Sequence, residues 1–140
     1  MYSPSLTSTP AAKKTITDFL NDTGTSPSDY DMILTGDLGL VGSELLCELM
    51  KKEEGIDLTS VHKDCGLMIF DRENQDVHAG GSGCGCSASV LCSYILNSMR
   101  AGRLNKVLFV ATGALMSATS SLQGESIPGI AHAVLIRKGE

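Results

Sequence analysis

At 140 residues and 42% hydrophobic content, the chain is long enough to bury a core as one domain and too apolar to be disordered. A net charge of −5 and a pI near 5.1 argue against nucleic-acid binding and against a polybasic membrane surface. No run approaches the ~18–20 apolar residues of a bilayer span, and the start Met-Tyr-Ser-Pro-Ser is not a leader, so the chain reads as soluble and intracellular. Five cysteines, an odd number in a chain able to form a core, fit a reducing compartment, with Cys47 and Cys92 read as small buried hydrophobes.

Thr9 and Pro10 read as the cap and first position of a helix, with Ala12, Ile16, Phe19 and Leu20 on one face and Gly24 at its end. A turn at residues 26–29 leads to Met32, Ile33, Leu34 and Thr35, an apolar run suited to a buried parallel strand and closed by Gly36 and Asp37. Val41, Leu45, Leu46 and Leu49 predict a second amphipathic helix, stopped by Gly55. The next strand is predicted at residues 66–70, beyond His62 and Cys65, with a polar loop at 71–76. Ala88, Leu91, Tyr94, Ile95 and Met99 mark a long helix ending at Gly102. Residues 106–112 are the clearest strand. A Ser, Thr and Gly-rich loop over 113–128 then precedes a last strand at 130–136, which includes His132 as a structural residue.

The order αβαβαββ implies an α/β domain with helices layered on a mixed, mostly parallel sheet. Because a helix comes first, the strand that precedes it in a βα unit is missing from residues 1–9. Residues 1–140 are therefore expected to be one unit of a longer chain, with an absent central strand leaving backbone groups unpaired.

The densest feature is the glycine loop at residues 80–89, which runs into the long helix. Glycines allow close backbone approach, and free N–H groups at a helix start suit an anion or lower the pKa of Cys84 and Cys86. The bland alternative is that both cysteines are close-packed small residues. A zinc site from His62, Cys65, His78, Cys84 and Cys86 lacks the ligand spacing of zinc modules. The loop is not a dinucleotide fingerprint, and a hydrolase with Cys84 as nucleophile and His78 or His132 as base has no nucleophile elbow. Asp37 reads as the cap of the following helix, or as a functional carboxylate at a strand end.

Residues 29–39 (Asp-Tyr-Asp-Met-Ile-Leu-Thr-Gly-Asp-Leu-Gly), the glycine-cysteine loop, and residues 102–108 (Gly-Arg-Leu-Asn-Lys-Val-Leu) together resemble the C-terminal half of the thiolase and ketoacyl synthase superfamily. Within it, residues 10–138 look like the stage V sporulation protein AD family. The resemblance implies a thiolase-like half-domain whose nucleophilic cysteine belongs to the other half. The superfamily's two His or Asn positions fall at Gly36 and Cys84, and its glycine-rich turn survives only in part as Thr112, Gly113 and Ala114. Neither Gly36 nor Cys84 can replace an imidazole or amide in oxyanion stabilisation.

The resemblance therefore implies a non-catalytic sporulation protein, without cofactor or metal of its own. It would bind dipicolinic acid, possibly as the calcium chelate, for uptake into the developing spore. Its implied place is peripheral to the inner spore membrane, beside other dipicolinate-channel proteins and with the missing N-terminal half or a second copy as partner. Gly36, Asp37, Ser82, Cys84 and Gly113 are the candidate ligand-binding residues. The alternatives are an acyltransferase of the thiolase or ketoacyl synthase type, and a structural or interaction half-domain.

Overall fold

The computed structural model describes residues 4–77, 83–114 and 117–139. Its order is α1 (Pro4–Thr23), β1 (Met32–Thr35), α2 (Gly39–Leu49), β2 (His62–Asp64), α3 (Cys65–Met68), α4 (Cys86–Val90), α5 (Leu96–Arg100), β3 (Lys106–Ala114), α6 (Ala118–Leu122) and β4 (Gly129–Arg137). The four strands form one sheet in the order β2-β1-β3-β4, parallel except for β4, which runs antiparallel to β3. This is the layered α/β arrangement that the alternation of elements predicts.

The run Met32 to Thr35 is buried along its whole length because it is central and covered on both faces. Ile33 shares one core cluster with Ala12, Ile16, Leu46, Leu108 and Val110 on the side of α1 and α2. Met32 and Leu34 instead belong to a second cluster, with Cys86, Val90, Ile95 and Val107, on the side of α4 and α5. Each fully buried Leu or Ile contributes about 1.5–3 kcal/mol through area removed from water. Asp31 sets the pairing of β1 with β3, since its carboxylate accepts the N–H groups of Asn105 (2.7 Å) and Lys106 (3.0 Å). Strands β1 and β3 pair directly, from Met32 opposite Val107 to Thr35 opposite Val110.

Several local expectations are corrected. Helix α1 begins at Pro4, not Pro10, and carries Pro10 in its interior at the cost of one helical hydrogen bond. Tertiary contacts hold this early turn. Ser8 Oγ donates to the Gly113 carbonyl at 2.8 Å, and Thr9, instead of capping, is fully buried with Oγ1 donating to the Gly42 carbonyl at 3.3 Å. A side chain at Gly129 would overlap the backbone of Thr7, so only glycine admits α1 this close to β4.

Helix α2 buries Gly39, Gly42, Ser43 and Leu46, and leaves Val41 exposed, because the small residues are what let it approach α1. It continues as a wide π turn, Met50–Glu54, and stops at Gly55 with φ of 67°. The predicted strand at 66–70 is absent. The strand is His62–Asp64, and Cys65–Met68 is a helical turn.

Between α4 and α5 lies another wide turn, Leu91–Ile95. Its extra residue per turn shifts the buried positions to Cys86, Val90, Ile95, Ser98 and Met99 and turns Ala88, Cys92 and Tyr94 outward. The expected burial of Cys92 and Tyr94 fails for that reason. Strand β3 runs two residues past Thr112, and α6 interrupts the loop that follows.

Candidate functional site

In open α/β sheets, functional groups gather beyond the carboxyl ends of the parallel strands. Here β1 ends at Thr35 and is followed by Gly36 and Asp37, β2 ends in Asp64, and β3 brings Thr112 alongside. Thr112 Oγ1 accepts the Asp37 N–H at 3.2 Å, and Asp37 Oδ2 accepts the Gly83 N–H at 3.2 Å. The strand end, the neighbouring strand and the tail of the glycine loop are thereby tied together.

Gly36 is required by this closeness. A Cβ there would sit 2.8 Å from Thr112 Oγ1, 2.9 Å from Ser87 Oγ and 3.0 Å from the Thr112 nitrogen. The space a side chain would need is filled by two hydroxyls and backbone. Gly66 is similarly constrained, because a Cβ would overlap Asp37 Oδ1. Gly36→Ala is expected to cost about 1–3 kcal/mol through this overpacking; a thermal melt unchanged from wild type would show that the crowding is not real.

Asp64, only 1% exposed, is the second centre. It accepts the Thr35 hydroxyl at 2.5 Å, and the N–H groups of Leu38 (2.9 Å) and Gly39 (3.0 Å). The cap of α2 therefore comes from β2 and not from Asp37, as sequence position had suggested. Burial raises the Asp64 pKa, while these three hydrogen bonds pull it back. His62 Nε2 lies 2.9 Å from the same Thr35 hydroxyl, and its Nδ1 lies 3.8 Å from Cys47 Sγ. Burial, aided by Lys63, lowers the His62 pKa to about 4. Cys65 is buried beside this network, and burial, with Asp64 adding to it, pushes its thiol up to about 12, so it stays protonated.

The sequence candidates separate as follows. Gly36 and Asp37 meet at the strand end. Cys84 is exposed, one residue after the Gly83 that bonds Asp37, whereas Cys86 is buried in the core of the α4 layer. Gly113 follows Thr112 and lines, with Ala111, Ile130 and the exposed His132, a shallow pocket of about 270 Å³. Ser82 and His78 lie outside the described residues. Among the described residues no three His, Cys, Asp or Glu side chains are arranged to hold a metal ion. His62 engages Thr35 and Cys47, whereas Cys65 is buried in the core on the α4 side. Ser87, Thr112 and Asp64 were not among the candidate binding residues, although Thr112 stands at the end of the clearest strand, in the partly surviving glycine-rich turn, and Ser87 at the start of the long helix.

A family model described as Stage V sporulation protein AD (SpoVAD) matches residues 5–137. The chain belongs to the stage V sporulation protein AD family. A curated relative, stage V sporulation protein AD of Bacillus subtilis (strain 168), is 48% identical over 129 residues, which are 92% of this chain. The match covers 38% of that relative's length. SpoVAD membership makes this a sporulation protein. No helix among the described residues is long and apolar enough to cross a membrane.

Proposed function

We propose that this SpoVAD-family chain contributes to a non-catalytic site for dipicolinic acid, taken as its calcium chelate, during its uptake into the developing spore. The observation that carries the reading is Gly36. Where the thiolase-like resemblance calls for a catalytic His or Asn, the Thr112 and Ser87 hydroxyls occupy the volume that any side chain would need. Proton transfer and oxyanion stabilisation have no group at that point, while two hydroxyls remain as hydrogen-bonding groups. The proposed site keeps Gly36, Asp37, Ser82, Cys84 and Gly113 and adds Ser87 and Thr112.

Asp37 favours the chelate over the free acid. A carboxylate beside the strand end repels a small dianion but attracts a calcium ion carried with it. The reading also takes residues 1–140 as a thiolase-like C-terminal half, completed by sequence of the kind that makes up the rest of the relative's length. It places the protein peripherally at the inner spore membrane, with other dipicolinate-channel proteins as partners.

Calorimetric titration of dipicolinate with and without calcium tests this reading, with acetyl-coenzyme A as the control. Heat from calcium dipicolinate and none from the thioester is the expected result. Turnover or binding of the thioester alone would replace the reading with an acyltransferase. Asp37→Asn is expected to weaken the calcium-loaded titration about tenfold, equivalent to about 1.4 kcal/mol, and to leave any binding without calcium unchanged or stronger. Equal losses in both titrations would remove calcium from the proposal.

A further inference from the structure

The charges of this chain are segregated along its length. Residues 77–139 contain five basic residues, Arg100, Arg103, Lys106, Arg137 and Lys138, against a single acidic one, Glu125, although the whole chain carries −5. The fold brings the five to one end of the sheet. Lys106 stands opposite Arg137 where β3 pairs with β4, the Lys138 N–H donates to the Asn105 carbonyl at 2.9 Å, and a Cβ at Gly102 would sit 3.7 Å from Lys138 Nζ. Arg100 closes α5, and Arg103 follows it in the turn to β3. The net charge that argues against a polybasic surface averages over this segregation.

Two of the five cations are engaged within the chain. Lys106 Nζ lies 4.8 Å over the Tyr30 ring, and the Arg103 guanidinium donates to Ser98 Oγ at 3.3 Å. The other three, Arg100, Arg137 and Lys138, line one groove of about 290 Å³ whose remaining walls are Leu96, Met99 and Ile136. All three are exposed, and the salt bridges among the described residues use Lys13, Lys14 and Lys52 instead. Asp31, at the same end of the sheet, has its carboxylate bonded to the N–H groups of Asn105 and Lys106. A helix end accounts for a cation at Arg100 through the dipole, but not for two more beside it at the end of β4. Like charges gathered around an apolar floor repel one another until an anion joins them.

We infer that this groove docks the chain on an anionic phospholipid surface, with lipid phosphates on Arg100, Arg137 and Lys138 and part of an acyl chain on Leu96, Met99 and Ile136. Charge and apolarity select the occupant together. A phospholipid presents both in one molecule, whereas free phosphate leaves the apolar floor unused and a purely acidic protein segment meets only the cations. Position argues the same way. The groove lies where β3 begins and β4 ends, at the far end of the sheet from Gly36, Asp37 and Thr112. Sequence that completes the candidate site would meet the chain at that other end and leave this one facing outward. The inference gives the peripheral placement proposed above its contact surface, and it rests on that placement.

Flotation of the chain with lipid vesicles tests this, run without dipicolinate so that its outcome is independent of the ligand titration. Binding to vesicles of equimolar phosphatidylglycerol and phosphatidylcholine, none to phosphatidylcholine alone, and release by salt are expected. Arg100→Gln, Arg137→Gln and Lys138→Gln are each expected to weaken binding about fivefold, and the triple variant about a hundredfold. Because all three residues are exposed and lie away from Gly36, the circular dichroism melt and the calcium dipicolinate titration should not change. Lys51→Gln, at an exposed lysine in the wide turn after α2, should bind vesicles like wild type. Equal binding to both kinds of vesicle overturns the inference, as does a triple variant that binds like wild type or a loss that Lys51→Gln shares. Polyglutamate or inorganic phosphate binding more tightly than the anionic vesicles, and lost in the triple variant, would assign the groove to an acidic protein or to free phosphate and equally overturn it. Vesicle binding without any heat from calcium dipicolinate would remove the ligand reading and leave this surface standing.

Discussion

Asp64→Ala is expected to lower the melting temperature by on the order of 10 °C, the largest effect of any single truncation outside the apolar core. The carboxylate is 1% exposed and accepts one hydroxyl and two backbone N–H groups. Removing it leaves the Thr35 hydroxyl and the first N–H groups of α2 facing a cavity rather than water. A buried donor without an acceptor costs about 1–3 kcal/mol, and loss of a helix cap typically costs about 1 kcal/mol. These penalties overlap, so a total of about 3 kcal/mol is the reasonable scale. Asp64→Asn keeps one acceptor oxygen and is expected to fall between Ala and wild type. A melt of Asp64→Ala within about 2 °C of wild type, less than a single lost hydrogen bond should give, would mean that the carboxylate does not hold the start of α2.

The second large effect is acid sensitivity centred on His62. Its pKa falls from 6.5 in the unfolded chain to about 4 in the folded one, so the folded state resists protonation. Stability from this group is fully present above pH 6.5 and is lost as pH falls toward 4, by up to about 3 kcal/mol. The surroundings explain the direction. With Asp64 ionised, the Thr35 hydroxyl proton is committed to that carboxylate, so Nε2–H of His62 donates to Thr35 and Nδ1 is left facing the Cys47 thiol. An imidazolium would bury a charge next to Lys63.

Asp64 works in the opposite sense. Its raised pKa means that the folded chain takes up its proton more readily than the unfolded one, which offsets part of the loss at the acid end. Chemical denaturation at pH 7, 6, 5 and 4 should therefore show a falling free energy in wild type and a flatter profile in His62→Gln. Parallel profiles for the two proteins would exclude His62 as the source.

The two predictions bear on a network that sequence reading passed over, and the reason is physical. Strand β2 consists of His62, Lys63 and Asp64, polar residues that carry no strand pattern because their value lies in partners from β1 and α2. Residues 66–70 look more like a strand, yet Gly66 must lie against Asp37, and the segment turns into a helix at Cys65. Strands β1 and β3 were legible because continuous apolar runs suit buried sheet positions, and β4 was legible from its own apolar run although it ends the sheet with no residue fully buried. Helix α1 was legible in existence and in face, with Ala12, Ile16 and Leu20 buried as expected, whereas the face of the helix leading to Arg100 was not, since the wide turn Leu91–Ile95 resets the spacing that periodicity assumes, and the short α3 and α6 were not legible at all. Gly36 and Asp37 could be chosen as strand-end residues, whereas Ser87 and Thr112 join them only through pairings between distant segments.

The central place of β1 has a bearing on how the chain is made. Both strands that flank it are translated after it, and Asp31 must wait for Lys106, 75 positions later, before its backbone partner exists. At the roughly 5–20 residues per second of ribosomal synthesis, that interval lasts several seconds. Throughout it Met32, Ile33 and Leu34 form an apolar strand whose edge toward β3 is open, the kind of segment that self-associates or recruits a chaperone. Folding of the sheet is thus gated by completion of β3, and a ribosome-stalled chain ending before residue 106 should be protease-sensitive in β1 where the released protein is resistant.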